Sequence, residues 1–235
     1  VKKGYDLDPK VKDTYEKNNE GVHFFNKDVS TLKGKEVLKG IDRKKNYFLL
    51  AGCAPCQPFS IINKKKITKD NRKNLILDFA RLIEETNPDF ILMENVPGLK
   101  INKGKKVFEE FEKVLKKGKY FYESGIIDAK DYGVPQNRKR LILLASRHSD
   151  IKIPSPMYGP ESVNKLPYMT VKEAISKYPR ILSGTKHKKI PNHECRKLSN
   201  TNLKRLKHIK KNGGLRDTLP QELILECHKN YKGHK

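Results

Sequence analysis

Short apolar runs alternate with amphipathic stretches over roughly the first 150 residues of the chain. Apolar residues at 75, 76, 79, 82 and 83 fall on one face of a helix, which Asn87-Pro88 is expected to end. A second helix is predicted from about 106 to 116. The predicted strands are 47–51, 90–93, 120–127 and 141–145. This alternation is typical of an α/β fold with a doubly wound, mostly parallel sheet.

The pattern changes after residue 150, where 153–160 read Ile-Pro-Ser-Pro-Met-Tyr-Gly-Pro. Beyond this segment the periodicity weakens, and 186–235 carry dense positive charge with few apolar residues. Because prolines and a change of composition mark domain boundaries, we predict two domains, 1–155 and 156–235.

Charge narrows the classes of function. The 235 residues contain 51 Lys and Arg against 27 Asp and Glu, a formal net charge of +24. Such an excess favours a polyanionic partner, most often nucleic acid, although a merely lysine-rich solvated surface is the alternative. No stretch approaches the roughly 18 apolar residues of a membrane span, and the four cysteines are too scattered for a disulfide scaffold. We therefore expect a cytoplasmic protein without membrane contact.

Two segments that follow predicted strands carry reactive groups. The first is Ala-Gly-Cys-Ala-Pro-Cys-Gln-Pro-Phe-Ser at 51–60, and the second is Glu-Asn-Val-Pro-Gly at 94–98. In an open α/β sheet, ligands bind in the crevice beyond the carboxyl ends of the strands. A thiol beside a carboxyl group at that edge is a workable pair for covalent catalysis.

Cys53 and Cys56 also form a C-x-x-C pair, which suits a redox motif or half of a zinc site. A redox motif would normally be followed at once by a helix, whereas here Pro58 and a polar run follow, which argues against a redox pair. The downstream candidates His193, Cys195, Cys227 and His228 lack zinc-site spacing. We therefore expect no metal site, and we expect Cys53 to be a small packing residue.

A third segment, 131–140, reads Asp-Tyr-Gly-Val-Pro-Gln-Asn-Arg-Lys-Arg and leads into the strand at 141–145. Arg138 and Arg140 are two residues apart, so in an extended chain both point to one face of the sheet. Planar guanidinium groups there could hold a phosphate or a base carbonyl. Taken alone, a basic strand start is more often structural.

Together the three segments resemble the DNA cytosine-C5 methyltransferase family of prokaryotic restriction-modification systems. Pro-Cys-Gln at 55–57, Glu-Asn-Val at 94–96 and Gln-x-Arg-x-Arg at 136–140 occur in that family's order. The resemblance implies a Rossmann-like, S-adenosylmethionine-dependent methyltransferase sheet at 1–155. A smaller, incomplete target-recognition domain would follow at 156–235.

The resemblance also implies a mechanism and its catalytic residues. Cys56 would attack C6 of a cytosine flipped out of duplex DNA, and a methyl group would pass from S-adenosylmethionine to C5, leaving S-adenosylhomocysteine. Glu94 would contact N3 of the base and Arg140 its carbonyl, while Arg138 would brace the nucleophile loop or Glu94.

Further site residues are implied in the same way. Asp6 would accept hydrogen bonds from the ribose, Leu7 would pack on the adenine, and Asp28 would meet the adenine amino group. The implied cofactor-binding residues are Asp6, Leu7, Asp28, Val29 and Pro55. The implied DNA-binding residues are Gln57, Ser60, Gln136, Arg196, Lys197, Gly213, Gly214 and Arg216.

Two features depart from the family pattern. No Phe-x-Gly-x-Gly segment precedes Gly4, and 235 residues end without the family's closing Asn-containing helix motifs. We therefore expect a fragment that lacks the first strand and the C-terminal part. The expected partners are double-stranded DNA and a cognate restriction endonuclease, and the expected state is a monomer. The alternatives are a tRNA cytosine-C5 methyltransferase, or a non-catalytic or zinc-bound nucleic-acid-binding module.

Overall fold

The computed structural model describes residues 2–54, 75–101, 104–210 and 219–229. The chain divides into two compact units, residues 1–174 and 175–235. The first unit holds every strand that the described residues form. The predicted assignment of 1–155 to catalysis and 156–235 to target recognition stays a prediction.

Helices and strands alternate along the first unit, as the apolar pattern predicts. The strands are β1 (Lys3–Asp6), β2 (His23–Asn26), β3 (Leu49–Gly52), β4 (Phe90–Asn95), β5 (Phe121–Asp128) and β6 (Lys139–Ser146). The helices that the described residues of both units form are α1 (Lys12–Asn18), α2 (Gly34–Leu38), α3 (Leu75–Thr86), α4 (Gly98–Ile101), α5 (Lys105–Lys117), α6 (Val171–Ile175), α7 (Asn200–His208) and α8 (Glu226–Lys229).

The strands form two sheets. β1 and β2 pair in parallel, and a four-stranded sheet has the order β3-β4-β6-β5. β3 and β4 run parallel, whereas β6 is antiparallel to both of its neighbours. The α/β fold is confirmed: β3, β4 and β5 run in the same direction, and β6 is the reversed strand of this four-stranded sheet. Residues 129–138, which join β5 to β6, are too few for a parallel crossover, which needs about a dozen residues or more.

α3 and α5 cover one side of the four-stranded sheet and supply much of the core. The apolar face predicted for α3 is buried, and its Phe79 ring stacks on Phe111 of α5 with centroids 6.0 Å apart. Asn87 then adopts a left-handed φ of 47°, which ends the helix before Pro88. Each fully buried apolar side chain of this kind stabilises the fold by about 1.5–3 kcal/mol.

Asp89 joins three elements at the amino end of β4. Its carboxylate accepts hydrogen bonds from the Phe48 N–H at 2.8 Å and from His148 Nε2 at 2.9 Å, and Arg43 lies 3.5 Å away. Burial alone would raise the pKa of Asp89, but these three partners outweigh it and lower the pKa. The charged carboxylate therefore ties the entry to β3 to the residues that follow β6.

The second unit contains a hairpin-like segment at residues 182–198. Lys186 and Glu194 form an antiparallel bridge, and the His187 N–H donates to the His193 carbonyl at 2.8 Å. At the tip, His187 Nδ1 accepts hydrogen bonds from the N–H groups of Lys189 and Ile190, at 3.2 and 3.0 Å. These bonds fix the backbone that presents the tip lysines.

Within the described ranges of both units, no helix is long and apolar enough to cross a membrane.

Candidate active site at the strand ends

Glu94 is the centre of the best-defined polar cluster at the carboxyl edge of the sheet. It occupies the second-last position of β4, and its half-buried side chain has both oxygens engaged. Arg140 Nε lies 2.7 Å from Oε1, and the Cys53 Sγ lies 2.8 Å from Oε2. The three segments singled out in the sequence, which carry the thiol, the acid and the arginine, therefore meet at the carboxylate of Glu94.

Strand register explains why Arg140 reaches Glu94. Glu94 pairs with Ile142 across the antiparallel β4–β6 ladder, and Arg140 lies two residues before Ile142, on the same face of β6. Diagonal neighbours on one face are within reach of long side chains, so the guanidinium spans the gap. Arg140 Nη1 also donates to the Lys139 carbonyl at 2.8 Å, which fixes the plane of the group.

Cys53 is not the packing residue that the sequence suggested. It is exposed, and its thiol donates to Glu94. The reason is again register: Gly52 pairs with Met93 in the parallel β3–β4 ladder, so the next residues, Cys53 and Glu94, lie side by side. Gly52 itself lies so close to the Phe79 ring that an added Cβ would be 2.6 Å from it.

Asn95 holds Ala54, the last described residue before the segment that carries the predicted nucleophile Cys56. Its buried side chain donates from Nδ2 to the Ala54 carbonyl at 3.1 Å and accepts the Val96 N–H at 2.9 Å. Ala54 lies two residues before Cys56 in the sequence, and this bond fixes the position of the Ala54 carbonyl. Several predicted site residues lie outside the described residues: Pro55, Cys56, Gln57, Ser60, Gly213, Gly214 and Arg216.

The loop at 129–138 carries the remaining predicted residues of the arginine segment. The Arg138 N–H donates to Asp128 Oδ1 at 3.0 Å, and Gly133 adopts a left-handed φ of 82°. The Arg138 side chain is exposed and makes no ion pair with any residue of the described ranges, Glu94 included. The other predicted contact of Arg138, to the nucleophile loop, lies outside the described residues. Gln136 is also exposed, and its N–H bonds to the Val134 carbonyl.

A second group of predicted residues lies at the carboxyl ends of β1 and β2. Asp6 and Leu7 are exposed, while Asp28 and Val29 are half-buried. Hydrogen bonds from the Ser30 N–H and hydroxyl, both 2.8 Å long, lower the pKa of Asp28 below its ordinary value. Two carboxylates therefore stand at the ends of adjacent parallel strands.

Sequence analysis missed Asn26, which holds this edge together. Its Nδ2 donates to the Asp6 carbonyl at 3.1 Å and to the Leu7 carbonyl at 2.8 Å. Asn26 is the last residue of β2 and pairs with Asp6. An Asn at a strand end is a common turn residue, so only the pairing of the two strands reveals its contacts.

In the second unit, the predicted Arg196 and Lys197 are both exposed. Sequence analysis missed a nearby cleft of about 420 Å³ at the hairpin tip. It is lined by Arg180, Ile181, Leu182, Thr185, Lys186, His187, Lys188 and Lys189. The signal available in the sequence was the Lys-His-Lys-Lys run at 186–189, whose charges this cleft concentrates.

No cluster of three or more His, Cys, Asp or Glu side chains able to hold a metal ion occurs in the part of the chain that the structure describes. His193, one of the proposed zinc ligands, instead uses its Nε2 to donate to the Pro179 carbonyl at 2.7 Å. Cys195 Sγ lies 3.4 Å from the Arg196 carbonyl.

Known proteins are similar in sequence to this chain. The chain is 37% identical over 230 residues to the Type II methylase M.HgiDII of Herpetosiphon aurantiacus, covering 98% of this chain and 62% of that protein. It is 29% identical over 221 residues to the Type II methyltransferase M1.HphI of Haemophilus parahaemolyticus, covering 93% of this chain and 57% of that one. The chain thus spans about three fifths of the length of these curated relatives.

Solved structures agree with the fold. A protein described as a DNA modification methyltransferase encoded within an E. coli prophage superposes with a TM-score of 0.62 at 26% identity, covering 78% of this chain and 50% of that one. The Dnmt2 methyltransferase of S. pombe superposes with a TM-score of 0.50 at 25% identity, covering 65% of this chain and 43% of that one. The C-5 cytosine-specific DNA methylase family matches residues 4–234. Family match, fold and the cluster at Glu94 agree, and the chain belongs to the C-5 cytosine-specific DNA methylases.

Proposed function

We propose that the protein carrying this chain is a DNA cytosine-C5 methyltransferase of a type II restriction-modification system. The observation that supports this best is the Glu94 carboxylate, held by Arg140 at 2.7 Å beside the loop that leads to Cys56. An acid and a guanidinium at the carboxyl edge of the sheet can meet the N3 and the carbonyl of a cytosine ring. Both groups are needed because cytosine is a poor electrophile until its developing negative charge is stabilised.

Cys56 is the proposed nucleophile. Its thiolate forms a bond to C6 of the flipped base while Glu94 supplies the hydrogen bond or proton at N3, so the ring electrons move towards C5. Once C5 carries the methyl group, its proton leaves to a base and the Cys56–C6 bond breaks, which restores the aromatic ring and the thiol. Arg140 contacts the base carbonyl and holds Glu94 in place throughout. Arg138 and Gln136, both exposed on the same loop, are proposed to contact the DNA.

The residues at the ends of β1 and β2 fit S-adenosylmethionine, which supplies the electrophilic methyl group when bound. Carboxylates at these positions suit the ribose hydroxyls and the adenine amino group, which are hydrogen-bond donors. Asp6 would bind the ribose, Asp28 the amino group, and the exposed Leu7 would pack on the adenine with Val29. Pro55, at the start of the nucleophile loop, is proposed to line the same site.

Duplex DNA is the proposed substrate, and the second unit is proposed to hold it. Residues 175–235 contain 16 Lys and Arg against four Asp and Glu, which is half of the net charge of +24 in about a quarter of the chain. The proposed contacts are Gln57, Ser60, Arg196, Lys197, Gly213, Gly214 and Arg216. We further propose a cytoplasmic, monomeric enzyme that shares its recognition sequence with a cognate restriction endonuclease.

A covalent trap tests the proposed function. DNA of mixed sequence, amplified with 5-fluoro-deoxycytidine triphosphate, is incubated with the protein and S-adenosylmethionine and resolved on a denaturing gel. Fluorine replaces the hydrogen at C5 and cannot leave as a proton does. The Cys56–C6 bond therefore cannot be eliminated, and the enzyme should stay covalently bound to the DNA. Replacing Cys56→Ser should abolish the adduct. An adduct that persists in this variant would exclude Cys56 as the nucleophile.

A parallel reaction tests whether the substrate is DNA or RNA. RNA transcribed with 5-fluorocytidine triphosphate, including tRNA, is treated in the same way. We expect an adduct with the DNA and none with the RNA. An adduct with tRNA alone would replace the proposed DNA substrate with an RNA one.

A further inference from the structure

The Cys53 thiol makes the second contact to the proposed catalytic acid. Arg140, on β6, binds Oε1 of Glu94. Cys53, just beyond β3 on the other side of β4, donates to Oε2. The carboxylate is therefore held from both flanking strands. A carboxylate held through one oxygen can still turn about its last torsion, whereas two donors on two oxygens fix its plane.

We propose that Cys53 is a positioning residue, whose thiol donates to Oε2 of Glu94 and fixes the plane in which this acid meets the cytosine ring. The inference rests on the proposed function, since it concerns how Glu94 is presented to the base. It goes beyond that function, because it gives a role to the first cysteine of the Cys-Ala-Pro-Cys segment.

The contact also separates the roles of the two cysteines. A carboxylate 2.8 Å from a thiol disfavours the thiolate, because two negative charges would then be adjacent. Cys53 is thereby kept as a protonated donor, and a protonated thiol is a poor nucleophile. Glu94 thus suppresses attack by Cys53 and leaves the nucleophile's role to Cys56.

The first test measures thiol reactivity and needs neither DNA nor cofactor. In protein with Cys56, Cys195 and Cys227 replaced by Ser, the rate at which iodoacetamide alkylates Cys53 at pH 8 is followed by peptide mass spectrometry. Glu94→Gln should raise this rate about tenfold, because the neutral amide no longer disfavours the thiolate. The matched control is Glu109→Gln, which removes an exposed carboxylate on α5 and should leave the rate unchanged. Equal rates for Glu94 and Glu94→Gln would overturn the proposal.

The second test measures adduct formation on the 5-fluorocytosine DNA. Cys53→Ala should slow the single-turnover rate about three- to tenfold while the Kd for DNA stays unchanged, since the lost hydrogen bond orients Glu94 and does not bind the duplex. Cys53→Ser keeps a donor towards Oε2 and should restore most of the rate. A Ser variant no faster than the Ala variant would overturn the positioning role.

The two tests fail independently. If no protein forms an adduct but Glu94→Gln still activates the Cys53 thiol, the proposed function is wrong and the contact stands. If wild-type protein forms the adduct and Cys53→Ala matches its rate, the function stands and the inference is wrong.

Discussion

Arg140 is the residue on which the geometry of the site most depends. Its guanidinium is less than a quarter exposed, and it binds Glu94 through Nε while Nη1 bonds the Lys139 carbonyl. A lysine ammonium is a point charge on a flexible chain and cannot make this pair of directed bonds. The arginine therefore orients the acid, and in the proposed reaction it also offers charge to the base.

Replacing Arg140→Ala should reduce the single-turnover rate of adduct formation on 5-fluorocytosine DNA by about 10²–10³-fold, the usual cost of removing one preorganised donor. The adjacent Lys139→Ala is the control, because Lys139 is exposed and contributes only its carbonyl to the cluster. Unchanged thermal unfolding of both variants would show that the fold is intact. A rate within threefold of wild type for Arg140→Ala would contradict the assigned role.

A second single residue, Asn26, holds the proposed cofactor site at the ends of β1 and β2, where its side chain bonds two backbone carbonyls. Asn26→Leu should weaken binding of S-adenosylhomocysteine about three- to tenfold, since Asp6 and Leu7 lose the bonds that hold their turn. Isothermal titration calorimetry measures the Kd directly. Asn18→Leu, on α1, is the control, because Asn18 bonds only the Thr14 carbonyl of its own helix. Equal affinity for wild type and Asn26→Leu would show that this turn does not contribute to the cofactor site.

At the scale of the element, the loop at 129–138 is shaped by its packing against residues 154–168. The Tyr132 hydroxyl donates to the Pro154 carbonyl at 2.8 Å, and the Asp131 carbonyl accepts the N–H groups of Met157 and Tyr158. Lys130 lies over the Tyr168 ring, 4.9 Å from its centroid. The segment that carries Arg138 and Arg140 thus depends on chain that follows the sheet.

Gly133 gives a direct measure of this packing. A Cβ at Gly133 would lie 2.8 Å from the Tyr158 ring and would also be strained at a φ of 82°. Gly21 has a similar φ of 73°, but a Cβ there meets nothing within 4 Å. Gly21→Ala should cost about 1–2 kcal/mol from strain alone, and Gly133→Ala about 1–3 kcal/mol more. Urea unfolding measures both values, and equal losses would show that Tyr158 moves aside freely.

The Asp89 junction predicts a pH dependence of stability. Because the folded-state pKa of Asp89 is lowered, its contribution is present above the unfolded pKa of about 4 and is lost as pH falls through the folded value. Asp89→Asn should therefore lower the free energy of unfolding at pH 7 by about 1–3 kcal/mol and flatten its decline in acid. Asp13→Asn, an exposed position on α1, serves as control. Parallel declines for wild type and Asp89→Asn would contradict the assignment.

At the scale of the whole molecule, charge and chemistry are separated along the chain. The acid, the thiol and the arginine of the site lie in the first unit, whereas residues 175–235 hold half of the net positive charge. Phosphate contacts release counterions, so each one adds to the salt dependence of DNA affinity. The hairpin tip, with Lys188 and Lys189 exposed, is suited to such contacts.

The double variant Lys188→Ala/Lys189→Ala should weaken binding to duplex DNA similarly for all sequences. The slope of log K against log salt concentration should become shallower by about one for each lysine lost. Lys113→Ala/Lys116→Ala, two exposed lysines of α5, is the charge-matched control. Fluorescence anisotropy between low and moderate salt measures the slopes. Equal slopes for the two double variants would exclude the hairpin tip as a phosphate contact.

Much of the fold and part of the site could be predicted from local pattern. The apolar face of α3, its end at Asn87 and the strands β3 to β6 follow from periodicity and turn residues within a short stretch of chain, whereas β1 and β2 are not among the predicted strands. Glu94 and Arg140, expected just outside strands, are the second-last residue of β4 and the second residue of β6. Local pattern failed for Cys53, because a small residue after an apolar run looks like packing until the neighbouring strand is known. The reversed direction of β6 is a further feature that only the structure shows, and it follows from the short connection at 129–138.

The sequence by itself therefore determined the strands and the two main helices of the four-stranded sheet, the charge and which residue types stand near the strand ends, because each depends on neighbours along the chain. The tertiary structure alone decided that Glu94 binds Arg140 and Cys53, which lie 46 and 41 positions away. It also decided that Asn26 holds the turn after Asp6. These contacts depend on strand register, and register is set by pairing between distant segments that no local periodicity encodes.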